Sequence, residues 1–171
     1  MEQKQFVEIE RKFLIKQFPP LSPIRTAQVE QGYLSTDPVV RIRRSQEEGK
    51  PAHFRLCFKG KGKLVRREVE LEISSEVYAQ LCEMLPMPLV RKDFRVYRLE
   101  DGNELECSLV DKGCETSFYY AEIEFSDISS AQAFQPPAFL GEDITEKEGY
   151  TMSDYWKKKL KAWKEKEKNN A

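Results

Sequence analysis

Histidine is almost absent from this chain: among 171 residues, His53 is the only one. That excludes catalytic triads built on imidazole and argues against zinc sites. The four cysteines, Cys57, Cys82, Cys107 and Cys114, form no Cys-x-x-Cys pair. They read as reduced thiols of a cytoplasmic protein. No run approaches the ~18 apolar residues of a membrane span. The opening Met1-Glu2-Gln3-Lys4-Gln5 lacks the apolar core of an export signal. A basic excess is also missing, since 28 Lys and Arg meet 29 Asp and Glu for a net charge of −1. No extended nucleic acid and no membrane is therefore expected as a partner. Lys59-Gly60-Lys61-Gly62 is too short for a phosphate loop and precedes a strand pattern, so it reads as a turn.

What the chain does have is charge of both signs, 33% of its residues, beside 40% hydrophobic residues. The average domain carries roughly 25% charge. The length suits one domain spanning residues 1–171, with no repeat and no low-complexity linker. The charges fall in alternation with apolar residues, the signature of strands with two unlike faces. From Phe6 to Ile15, Glu8, Glu10 and Lys12 oppose Val7, Ile9, Phe13 and Ile15. Arg41 and Arg43 oppose Val40 and Ile42, and Arg55 and Lys59 oppose Phe54, Leu56 and Phe58. Arg66, Glu68, Glu70 and Glu72 oppose Val69, Leu71 and Ile73, and Glu122 and Glu124 oppose Ala121, Ile123 and Phe125. Further strands are predicted over 28–35, 90–99 and 104–110. Helices are predicted over 75–85, 129–134 and 153–168. The last carries Trp156, Leu160 and Trp163 on one stripe, and its charged end after Lys164 should fray.

This predicts an α+β, mainly β fold of about eight sequential antiparallel strands. Its polar face is almost wholly Glu, Arg and Lys. An open sheet would show that face to water, as cross-strand ion pairs worth ~0.2–1 kcal/mol each. A closed barrel would turn it inward, giving a charged tunnel with apolar residues packing outward against helices. Recurrence on at least five strands favours the tunnel. Glu8 and Glu10, two apart on one side of a strand, can share a hard divalent cation. Arg41, Arg43, Lys59 and Arg66 are suited to phosphate oxygens. Separate acidic and basic groups suit a ligand that is itself a metal–polyphosphate. Tyr33 is a candidate acid or base.

The run Val7-Glu8-Ile9-Glu10-Arg11-Lys12-Phe13-Leu14-Ile15 resembles the Glu-x-Glu-x-Lys signature of the CYTH superfamily, the triphosphate tunnel metalloenzymes. Gln31-Gly32-Tyr33-Leu34, Arg41-Ile42-Arg43, Phe58-Lys59-Gly60, Arg66-Arg67-Glu68-Val69-Glu70, Tyr120 to Phe125 and Gly141 to Thr145 continue the resemblance in order, over about residues 6–150. The resemblance implies an eight-stranded antiparallel tunnel in which acidic residues hold Mg²⁺ or Mn²⁺ and basic residues grip a triphosphate. It is greatest to the small bacterial inorganic triphosphatases. It therefore implies a metal-dependent hydrolase of tripolyphosphate or a similar small triphosphate. A class IV-type adenylyl cyclase and a non-catalytic polyphosphate-binding module are the alternatives.

On that basis Glu8, Glu10, Glu122 and Glu124 are expected to hold metal. Glu68 and Glu70 are expected to bind metal or orient cations. Lys12, Arg41, Arg43, Lys59, Arg66 and Arg95 are expected to hold phosphate, with Lys12 and Tyr33 as the catalytic pair. A homodimer is left open. Three places depart from the family pattern. Ser108, with Glu106 two residues earlier, stands where an Asp is usual on the seventh strand. Residues 146–152 lack the usual run. Lys92 and Arg95 are three apart where Lys-x-Arg is usual.

Overall fold

The structure, a computed structural model, describes residues 6–170. Eight strands close into one antiparallel barrel: β1 (Val7–Ile15), β2 (Arg25–Thr36), β3 (Val39–Gln46), β4 (His53–Gly62), β5 (Val65–Glu72), β6 (Val90–Arg98), β7 (Glu104–Val110) and β8 (Phe118–Glu124). Around the barrel their order is β1-β5-β4-β3-β2-β6-β7-β8. Two meanders, β2 to β5 and β6 to β8, join at β2–β6, and β1 closes the remaining gap. Its first part pairs with β5, as Glu8 opposite Arg66, and its second with β8, as Lys12 opposite Glu122.

On seven of the eight strands, all but β2, the register turns one or more charged residues inward. A barrel normally fills its interior with apolar side chains, but here the main apolar core is outside. Ile9, Phe13, Ile15, Tyr97, Leu105, Cys107, Ile123 and Phe125 form one buried cluster with Ala131, Phe134 and Leu140. Helix α2 (Ile128–Ala133) and the segment after it cover that cluster. Asp127 caps α2 by accepting from the Ser130 N–H at 2.8 Å. Arg11, on the outer face of β1, locks the cover down. It donates to the Ala131 and Phe134 carbonyls, each at 3.0 Å, and pairs with Asp143 at 2.6 Å.

Helix α1 (Ser75–Glu83) is capped by Ser74, the serine just before the predicted span. Tight packing at Gly32 fixes how the segment after α1 returns to the barrel: a Cβ there would lie 2.4 Å from Leu85 Cδ1. Helix α3 (Met152–Asn170) runs past Lys164 to Asn170. It lies across one end of the barrel. Trp156 and Met152 are buried with Tyr33, Val90, Val110 and Tyr120, and Leu160 packs at the edge. Trp163 is partly exposed, so the stripe docks through its first two turns. No described helix is long and apolar enough to cross a membrane.

Candidate functional site

Inside the barrel is a cavity of about 390 Å³. Of the residues expected in the site, Glu8, Glu10, Lys12, Tyr33, Arg41, Arg43, Lys59, Arg66, Glu68, Glu70, Glu122 and Glu124 all line it. Arg95 does not. Its guanidinium stacks on Phe18, 4.0 Å from the ring centroid, on the outer face of β6. Strand parity is the reason: Lys92 and Phe94 point inward, so Arg95 points out. The assignment of Arg95 to phosphate binding is therefore corrected, and Lys92 is the inward cation of this strand.

The charges are already paired with one another. Lys59 Nζ donates to Glu8 at 2.9 and 3.1 Å, and Arg66 to the same carboxylate at 2.9 Å. Lys12 pairs with Glu122 at 2.9 Å, and Lys59 reaches Glu68 at 3.4 Å. Arg41 lies 3.8 Å from both Glu68 and Glu70, and Arg55 holds Glu70 at 2.8 Å. Arg43 is different: no ion pair involves it among the described residues, its Nε is unpartnered, and its guanidinium lies 5.7 Å from the Phe94 ring centroid.

Electrostatics divides the carboxyl groups. Burial opposes ionisation of Glu8, but Lys59 and Arg66 outweigh it and bring its pKa down to about 2. Burial likewise opposes Glu122, and Lys12 and Lys92 bring it down to about 2. Glu10 goes the other way. Burial first, then the charges of Glu122 and Glu8, raise it well above the ordinary carboxylate range. A cation at that spot would reverse the repulsion.

Two further inward groups were not singled out from sequence. Lys92 Nζ donates to the Tyr120 hydroxyl at 2.5 Å, and burial pulls its pKa well below the usual lysine value. Tyr120 also lies under Lys12, whose Nζ is 4.0 Å from its ring centroid. The alternation Val90-x-Lys92-x-Phe94 was the available signal for Lys92. Ser108 and Glu106 both line the cavity, being two apart on β7. The segment 141–145 runs along β1 beyond its pairing with β5: Ile144 donates to the Lys12 carbonyl at 2.8 Å, and the Lys12 N–H donates to Thr145 Oγ1 at 3.0 Å. Thr145 and Lys147 thereby join the wall.

Lys12 and Tyr33 both face the cavity, yet their partners differ. Lys12 is held by Glu122 and Tyr120. Tyr33 accepts from Gln31 Nε2 at 3.2 Å. Burial raises its pKa, and the cations that act against burial are Arg41, Lys59 and Arg66. The electrostatic partner of Tyr33 is thus the Arg41/Lys59 group.

An inverted barrel lined by paired acids and bases, with Glu-x-Glu-x-Lys on its closing strand, defines a class: the chain belongs to the CYTH superfamily of triphosphate tunnel enzymes. The curated inorganic triphosphatase of Nitrosomonas europaea is 32% identical over 143 residues, covering 84% of this chain and 92% of that protein. A solved structure of the inorganic triphosphatase NE1496 superposes with a TM-score of 0.59 at 28% identity, covering 86% of this chain and 93% of that one. The PH1819 protein of Pyrococcus horikoshii shares the fold, with a TM-score of 0.53 at 22% identity over 73% of this chain and 82% of that one. No family model matches the chain.

Proposed function

We propose that this protein hydrolyses inorganic tripolyphosphate, or a similar small triphosphate, inside the barrel with the help of a divalent cation. The observation that carries the reading is the cavity wall itself. Lys12, Arg41, Arg43, Lys59, Arg66 and Lys92 face Glu8, Glu10, Glu68, Glu70, Glu122 and Glu124 in one enclosed space. Similarity to the inorganic triphosphatase of Nitrosomonas europaea supports the choice of substrate.

The residues fit a hard cation, since Glu10 is buried beside Glu122 and Glu8, whose charges and its burial outweigh the opposing Lys59 and Lys12. Glu8, Glu10, Glu122 and Glu124 would hold Mg²⁺ or Mn²⁺, with Glu68 and Glu70 keeping Arg41 and Lys59 in place. Such an ion supplies charge neutralisation at the phosphates and a more acidic bound water. The chain's own part is positioning and electrostatics, which dominate phosphoryl transfer. Arg43, with no carboxylate to leave, offers the first anchor for an entering phosphate. Lys12, Lys59 and Arg66 exchange their carboxylates for phosphate oxygens as the chain of phosphates enters. Tyr33, a neutral phenol beside Arg41 and Lys59, orients the attacking water by hydrogen bonding, and Lys12 holds the phosphate under attack.

The protein acts as a single domain in the cytoplasm, either alone or as a homodimer. Incubation with tripolyphosphate, ATP and thiamine triphosphate in the presence of Mg²⁺ or Mn²⁺ tests the reading. Release of phosphate from tripolyphosphate is expected. Cyclic AMP from ATP would make it a cyclase, and tight binding without turnover would make it a binding module.

A further inference from the structure

Cys57 is fully buried on β4, and it points toward the tunnel rather than into the outer core. Its Sγ donates to Glu68 Oε1 at 2.8 Å, and it stands directly across from Glu70 in the β4–β5 register. Cys57 Sγ and one oxygen each of Glu68 and Glu70 lie within 4.8 Å of one another. Three donors on two hydrogen-bonded strands are held in a fixed arrangement. They differ in kind from the all-carboxylate set of Glu8, Glu10, Glu122 and Glu124, because one of them is sulfur. Arg41 faces Cys57 across the β3–β4 register, is about nine-tenths buried, and carries an unpartnered Nε. That N–H lacks an acceptor of the kind an exchangeable oxygen on a bound ion would provide.

We propose that Cys57, Glu68 and Glu70 form a second cation site, for a borderline divalent ion such as Zn²⁺ or Co²⁺, in the tunnel wall beside the phosphate-binding cations. Sulfur with two carboxylates suits such ions and not Mg²⁺ or Mn²⁺, which take oxygen. Binding replaces the S–H bond by a metal–sulfur bond and releases the proton to the buffer, with no change of oxidation state. The ion draws Glu68 away from Lys59, now at 3.4 Å, and both carboxylates away from Arg41, now at 3.8 Å. Occupancy therefore inhibits triphosphate turnover by disturbing the cations that would hold the substrate. This last consequence rests on the proposed function, whereas the binding site does not.

The test is a Co²⁺ titration of the purified protein followed by its near-ultraviolet thiolate-to-metal charge-transfer band. A saturable band is expected in the wild type and in a Cys82→Ser/Cys114→Ser background. In that background Cys57→Ser, shown to be folded by circular dichroism, should abolish it. Glu70→Gln keeps the thiol and should weaken the titration by at least the roughly tenfold that a supporting partner contributes at metal sites. Zn²⁺ should remove the band in competition, and excess Mg²⁺ should leave it. A band that survives Cys57→Ser, or no saturable band in the wild type, overturns the site. Should Cys57→Ser not fold, an unchanged titration in Glu70→Gln overturns it instead. In turnover assays with Mg²⁺, added Zn²⁺ should inhibit the wild type and spare Cys57→Ser. Absence of all turnover would refute the triphosphatase reading and leave the spectroscopic result to decide the metal site.

Discussion

Arg43 and Arg95 are both arginines on inner strands of charge-rich sequence, and they sit on opposite sides of the barrel wall. Arg43 is buried in the cavity with no carboxylate partner, and Arg95 stacks outside on Phe18. Arg43→Ala is expected to weaken tripolyphosphate binding by about 10- to 150-fold, the equivalent of losing a charged hydrogen bond of ~1.5–3 kcal/mol. Arg95→Ala should leave the affinity unchanged, and calorimetric titration of both variants checks the contrast. Lys12→Arg keeps the charge but replaces a compact ammonium by a broad fork. It should bind tripolyphosphate within about tenfold of the wild type and lose most of its single-turnover rate. Strand β6 shows what strand parity alone can reveal. Lys92 and Arg95, three apart, cannot share a face of one strand, so the outward turn of Arg95 was legible. Assigning Arg95 to phosphate on the family pattern overlooked it. The inward turn of Lys92 followed from the same rule.

Among the elements, α3 is the one whose sequence says least about where it docks. Its stripe of Trp156, Leu160 and Trp163 signals docking, but periodicity carries no information about the surface it docks on. The structure seats Trp156 against Tyr33 with ring centroids 5.6 Å apart, at the end of the tunnel. Trp156→Ala should cost ~3–5 kcal/mol in thermal or denaturant unfolding, the usual range for a buried aromatic. The second tie of α3 is Asp111, which accepts from Lys159 and from the Tyr155 hydroxyl, each at 2.6 Å. Burial would raise its pKa, but Lys159, Tyr155 and the Arg91 N–H outweigh burial and hold it below the usual Asp value. A lowered folded-state pKa contributes stability that is complete above the unfolded value of ~3.9 and is lost as pH falls toward the folded one. Docking of α3 should therefore loosen in acid below about pH 4. Tryptophan fluorescence should report the change, and Asp111→Asn, which lacks the charge at every pH, should flatten that part of the profile. The strands were far more legible than this, because two-residue alternation of Glu and Arg with Val and Ile fixes both the strand and its two faces. Which face lay inside came only from recurrence, since no single strand distinguishes a tunnel wall from a solvated sheet.

At the scale of the whole molecule, the tunnel's charges neutralise one another, so a ligand is exchanged for internal partners rather than added to a vacant basic pocket. Magnesium and tripolyphosphate together, at about 100 times the dissociation constant, should stabilise the fold by about 2.7 kcal/mol. For a domain of this size that is a rise of roughly 5–10 °C in Tm, readable by scanning calorimetry. EDTA should remove both that rise and turnover, and added Mg²⁺ should restore them. Undiminished turnover after thorough chelation would refute the role of the cation.

Strand β1 is the stave that closes the barrel, and its two neighbours, β5 and β8, are otherwise free edges. It is the first strand in the chain, yet half of its pairing waits for a strand more than a hundred residues later, as Glu10 opposite Glu124 records. Pairing so distant in sequence is slow to form and leaves edges open meanwhile. Because Glu8, Glu10 and Lys12 ride on this strand, a barrel that has not closed also lacks two of its four proposed metal ligands and the lysine beside them. Folding and competence to act thus arrive in one event, and a partly assembled chain holds no half-formed catalyst. Residues 6–16 supplied as a separate peptide to a chain lacking them would act as a donor strand, restoring structure and chemistry together or neither.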